Sequence, residues 1–125
     1  MEPRKFTLRS RIESFRYALN GLWSVVREEH NARIHLVAAA IAIVAGLLFR
    51  ISRAEWMLIT IVIGMVFIAE LVNSAIEAIG DNFVDVRNEK IKKAKDYAAA
   101  AVLVSAIISA IVGGLVFIPK IFDLF

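Results

Sequence analysis

The chain has no cysteine, which excludes disulfides, thiol chemistry and cysteine-held metal while leaving the redox compartment open. Its two prolines and six glycines are scattered. No Pro/Ser/Gly-rich linker or long block of like charge divides the sequence, so residues 1–125 are expected to form one domain. The familiar soluble phosphate-binding and hydrolytic devices are missing too: there is no Gly-rich Walker loop, no His-Arg-Asp catalytic loop and no His-Glu-x-x-His pair. A net charge of +3 suggests nucleic acid only weakly, because the basic residues cluster at the ends of apolar segments and form no surface interleaved with aromatics. Nucleic acid is not an expected partner. The basic stretch Met1 to Ser10 is not followed by an apolar core and a small-residue cleavage site, so no signal peptide is expected.

What the chain has in abundance is apolar surface. With 59% hydrophobic residues and a mean hydropathy of +0.69, it is too apolar for a water-soluble domain of this length. Its pattern predicts an all-α integral membrane protein with one amphipathic surface helix and three transmembrane helices. From about Arg9 to Glu29, Ile12, Phe15, Leu19, Leu22 and Val26 recur three and four apart, which suits a helix on the membrane surface or against the bundle. Tyr17 and Trp23 on it suit the headgroup region. Spans follow at about 30–49, 54–79 and 97–118. Arg50 to Arg53 forms a short connection with Ser52 as N-cap, and Pro119 marks the expected end of the last span. Seven of the Lys and Arg residues precede or include Arg33, five lie in 80–96, two in 50–53 and one in the tail. The positive-inside rule therefore puts the N-terminus and the 80–96 loop in the cytoplasm and the C-terminus outside, with the chain in the cell's inner (plasma) membrane.

Within the second span the run Glu70-Leu71-Val72-Asn73-Ser74-Ala75-Ile76-Glu77-Ala78-Ile79-Gly80-Asp81 is the most informative stretch. At about 100° per residue, positions 70, 73, 77 and 81 share a stripe about 80° wide. A carboxylate facing hydrocarbon costs several kcal/mol, so this stripe must turn toward partners, water or cations. The topology collects Glu29, Glu70, Glu77, Asp81, Lys95 and Asp96 at the cytoplasmic end, where nucleotide is available. Carboxylates near a lysine suit magnesium shared with substrate phosphates, and a carboxylate at membrane depth suits proton removal from a lipid hydroxyl. This describes phosphoryl transfer at an interface. The same ingredients serve a non-catalytic or proton-conducting helical bundle, so the residues alone leave both readings open.

The signature Glu70-Leu-Val-Asn73-Ser-Ala-Ile-Glu77, with Asp81 and then Ala94-Lys95-Asp96, resembles the small prokaryotic diacylglycerol kinase and undecaprenol kinase family. Ser14-Phe15, Gly21-Leu22-Trp23, Glu29 and Arg33 extend the likeness over almost the whole chain. The resemblance implies a homotrimer with composite active sites between subunits, using ATP and Mg2+ to phosphorylate a membrane lipid alcohol. It makes Glu70 the general base and Glu29 and Glu77 the metal ligands at the nucleotide. Asn73 would position and Asp81 support the site, while Lys95, Asp96 and Tyr17 would contact nucleotide. Glu55-Trp56 and Ile118-Pro119-Lys120 are closer to the undecaprenol kinase branch, which favours undecaprenol over diacylglycerol and implies a role in lipid carrier recycling or phospholipid metabolism.

The sequence departs from the family in two places. Val86-Arg87-Asn88-Glu89-Lys90-Ile91 replaces a loop that often carries His in the family, and Ser10 stands where the family has an arginine, between Arg9 and Arg11. Phosphate contacts from Arg9, Arg11, Arg87 and Lys90 are therefore left unassigned.

Overall fold

The computed structural model describes residues 6–82 and 89–125. It contains four helices in chain order: α1 Leu8–Glu28, α2 His30–Leu48, α3 Arg53–Asp81 and α4 Glu89–Phe122. The last three are long and apolar enough to cross a membrane. Large apolar side chains such as Ile41, Ile61, Leu103 and Leu115 are exposed along them. A soluble protein rarely leaves so much apolar surface open, whereas hydrocarbon solvates it.

Short-range chemistry explains most helix ends. Thr7 caps α1 through the Ser10 amide, and the Ser10 side chain returns to the Thr7 amide. Glu29, in extended backbone, ends α1 and begins α2, and its carboxylate makes no capping hydrogen bond. At the other end of α2, Arg50 takes a left-handed conformation (φ 51°) and the Ile51 N–H donates back to the Gly46 carbonyl at 3.1 Å. This is the six-to-one bond of a Schellman ending, here with arginine where glycine is usual. Ser52 then starts α3 with a capping box closed by Glu55, as its position in the connection predicts.

Two helix limits differ from the expected spans. α4 is already helical at Glu89, two turns before Tyr97, because Glu89 to Asp96 contains no helix breaker. It also runs through Pro119 to Phe122. Proline removes one N–H donor, but Lys120 reaches across to Glu55 at 3.1 Å and ties the last turn to the start of α3. Val86, Arg87 and Asn88 lie outside the described residues.

The tightest packing is between α3 and α4. Ser109 donates to the carbonyl of Ser105 in its own helix (2.8 Å) and contacts that of Val62 in α3 (3.3 Å). Small residues and such short polar contacts hold helices together in lipid, where apolar burial alone gives little drive. At the end opposite the polar stripe, Ile51, Ile59 and Val116 form a core joined by Trp56, Phe49 and Phe117. The aromatic ring of Trp56 lies over Gly46 so closely that a Cβ there would stand 2.7 Å from its Cη2 and 3.0 Å from Ile51 Cδ1. Gly46→Ala is expected to lower stability by about 1–3 kcal/mol by forcing a rigid ring to move. Thermal unfolding in detergent checks this, and an unchanged transition would show that the α2–α3 corner yields freely.

Candidate active site

The polar stripe of α3 faces into the bundle at its buried end and opens into a cleft at the other. Glu70 is 1% exposed, the largest fully buried side chain among the described residues. Asn73, one turn on, is also buried. Among the described residues, Glu70 Oε1, Asn73 Oδ1 and Ser74 Oγ have no hydrogen-bond partner. Buried polar atoms left unpaired cost on the order of 1–3 kcal/mol each, so this face calls for partners beyond the helices of one chain.

The partner nearest Glu70 is His35, in the second turn of α2. Its Nε2 is 3.4 Å from Glu70 Oε1, close enough for electrostatic pairing but without the alignment of a hydrogen bond. Glu29 and Glu77 are also within electrostatic range of Glu70. The sequence signal for His35 was present: an imidazole at membrane depth needs a partner. What the sequence lacked was the register of α2 against α3.

Beyond Glu70 toward the end of α3, a cleft of about 420 Å³ lies between α1 and α3. Glu28 and Glu29 line it from the α1–α2 junction, and Ser74, Glu77 and Asp81 line it from α3. Gly21 and Ser24 of α1 complete one wall. Lys95 of α4 reaches the rim, where its Nζ is 2.9 Å from Asp81 Oδ1. The lysine stem crosses Gly80, whose missing side chain leaves room for it: a Cβ there would lie 3.2 Å from Lys95 Cδ.

The structure thus brings together Glu29, Glu77, Asp81 and Lys95 above the buried Glu70 and Asn73. It does not bring in the other two. Asp96 pairs with Lys92 at 2.8 Å on an exposed part of α4, and Tyr17 is exposed on α1 one turn before Gly21. Arg9 pairs with Glu13 at 3.7 Å and Arg11 lies 4.7 Å over the Phe6 ring, so both are engaged at the start of α1.

A hard divalent cation commonly takes one or two protein carboxylates and completes its shell with substrate phosphates and water. Among the described residues, no three acidic or imidazole groups form a ready-made cage. Glu29 and Glu77 nevertheless share one cleft, Glu29 is not spent on capping, and no ion pair engages either carboxylate among the described residues. That donor set fits a magnesium ion arriving with a phosphate chain.

A family model described as prokaryotic diacylglycerol kinase matches residues 16–117. The chain is 43% identical over 109 residues to an undecaprenol kinase of Bacillus subtilis (strain 168), covering 87% of this chain and 89% of that protein. It is 35% identical over 112 residues to a diacylglycerol kinase of Synechocystis sp., covering 89% of this chain and 64% of that longer protein. With a diacylglycerol kinase of Escherichia coli (strain K12) the identity is 31% over 100 residues, 80% of this chain and 82% of the relative.

Proposed function

The chain belongs to the prokaryotic diacylglycerol kinase family and is a membrane lipid kinase, and from that premise we propose that it moves the γ-phosphoryl group of ATP onto the hydroxyl of a membrane lipid alcohol. Undecaprenol is the favoured acceptor and diacylglycerol the next. The observation that carries the reading is the acidic, lysine-rimmed cleft placed directly beyond a buried, unsatisfied Glu70. One end of this arrangement suits a phosphate chain in water, the other an alcohol in lipid.

Glu70 takes the proton of the lipid hydroxyl as that oxygen forms its bond to the γ-phosphorus. The bond from the γ-phosphorus to the β–γ bridging oxygen breaks, and ADP leaves with the electron pair. Glu29 and Glu77 would hold magnesium, which would neutralise charge on the phosphates. Lys95 steadies the phosphate chain from the rim, with Asp81 fixing its ammonium group. Asn73 positions the reacting groups from the turn between Glu70 and Glu77. Tyr17 and Asp96 contact the nucleotide from outside the cleft.

Residues 1–125 act as one kinase domain in the plasma membrane. The N-terminus and the 80–96 segment face the cytoplasm and the C-terminus faces outside, as the distribution of basic residues favours. The working form is a homotrimer with sites shared between subunits. The openness of α2 and the orphaned polar atoms on α3 support this, since a second chain can supply partners that one chain lacks. The product serves lipid carrier recycling or phospholipid metabolism. A proton-conducting bundle would need the buried carboxylate but has no use for the lysine-rimmed cleft.

The test is a side-by-side assay of purified protein with ATP, magnesium and either undecaprenol or diacylglycerol in mixed micelles. Faster phosphorylation of undecaprenol is expected. Preference for diacylglycerol would reverse the substrate order, and absence of both products from folded protein would sink the kinase reading for this chain.

A further inference from the structure

A carboxylate that accepts a proton must present one particular oxygen, and a glutamate side chain has three rotatable bonds with which to miss. The cost of missing is large, since a displacement of about 1 Å at a reacting group can cost about a hundredfold in rate. On α3 itself nothing holds Glu70 Oε1, for that atom has no hydrogen bond. The contact it does make is with His35 Nε2, 3.4 Å away and carried on a different helix.

His35 is itself placed by its surroundings. Its side chain is 19% exposed, and it stands at the wall of an apolar cavity of about 250 Å³ between α2, α3 and α4. Ala38, Ala39, Ala106 and Ala110 line that cavity with methyl groups. Ser109, the hydroxyl in the lining, already donates within α4 and contacts Val62. The imidazole therefore has Glu70 as its ion-pair partner, and an acidic group buried at membrane depth is strongly penalised without one.

We propose that His35 is the positioning residue for Glu70: it holds Oε1 from across the α2–α3 interface, so that Oε2 is the oxygen turned to the lipid hydroxyl. The inference rests on the reading of Glu70 as the base. It adds a specific consequence, which is that the first turns of α2 set the geometry of a proton transfer performed on α3. The lipid hydroxyl then approaches from the side of Glu70 away from the imidazole.

The experiment is a mutant cycle on the full chain in mixed micelles with ATP, magnesium and the lipid alcohol that turns over faster. It compares wild type, His35→Ala, His35→Leu, His35→Gln, Glu70→Gln and the His35→Ala/Glu70→Gln pair. His35→Leu keeps apolar bulk at the cavity wall should alanine loosen the bundle, and His35→Gln restores an N–H near the place of Nε2.

His35→Ala and His35→Leu are each expected to lower kcat about tenfold or more, leaving KM for ATP within about twofold. His35→Gln recovers most of that loss. In the Glu70→Gln background, His35→Ala causes no further loss, because a residue acting through another has nothing left to act on. Near-normal kcat in His35→Leu would overturn the proposal, as would losses that multiply in the double variant. Equal losses in Leu and Gln variants, in step with a lowered melting temperature, would assign His35 to helix packing and overturn it too. Near-normal turnover of Glu70→Gln is a different failure: it removes the base reading and this inference with it.

Discussion

Glu77→Gln is expected to abolish phosphoryl transfer at limiting magnesium, with a loss on the order of 10² or more, and to raise the magnesium concentration needed for half-maximal rate. Glu77 lines the cleft with Glu29, and among the described residues no ion pair engages either carboxylate. Glu28, Glu29, Glu77 and Asp81 outnumber Lys95, the cation at the rim of their cleft, and a divalent ion would relieve the remaining repulsion while recruiting phosphate oxygens. The amide keeps the shape of the side chain but deletes the charge. Because Glu77 is only partly buried near the end of α3, the substitution should leave helix packing nearly intact. Turnover measured across a magnesium titration, alongside thermal unfolding, checks the assignment. An unchanged rate at limiting magnesium would move the metal away from Glu77.

The architecture was legible because each of its elements is specified locally. Apolar runs of sufficient length, the Ser52 N-cap and the polar stripe at 70, 73, 77 and 81 all depend on residues a few positions apart. The continuation of α4 through Pro119 was not legible, because a proline in sequence reads as a helix end, and the contact of Lys120 with Glu55 across the bundle is not encoded locally. The same contact gives a physical meaning to two features that in sequence were only family likenesses. Glu55 caps α3 and clamps α4, and Trp56 closes over Gly46, so both belong to the end of the bundle remote from the cleft.

The candidate site divides along a similar line. Glu70, Asn73, Glu77 and Asp81 lie on one helix, and helical geometry alone aligns them. Lys95 comes from another helix, and its place at the rim depends on Gly80 leaving space for its stem. His35 depends on how far α2 slides along α3, which no periodicity within either helix encodes. Asp96 shows the reverse case. Its neighbour Lys95 turns toward α3, but at about 100° per residue the next side chain points elsewhere, and Asp96 meets Lys92 one turn back.

Glu70→Gln tests the chemistry most directly. Glu70 lies two turns below Glu77, about 10 Å deeper along the helix axis, and is 1% exposed. If it removes the lipid hydroxyl proton, replacing the carboxylate by an amide deletes the base at that position, since an amide oxygen is too weakly basic to take its place. The expected result is a fall in kcat on the order of 10² or more, with ATP affinity little changed because none of the proposed nucleotide contacts involves Glu70. A helix-binding role predicts the opposite pattern. Glutamine retains hydrogen-bonding capacity and removes a buried charge, so a residue that merely joins α2 to α3 should tolerate it with little loss of rate. Turnover, nucleotide affinity and oligomer stability measured on the same preparations separate the two. Near-normal kcat would eliminate the base assignment. A loss of rate that appears only together with dissociation of the oligomer would make Glu70 a structural residue, whereas a loss of rate in an intact assembly that still binds ATP leaves proton transfer as the step that failed.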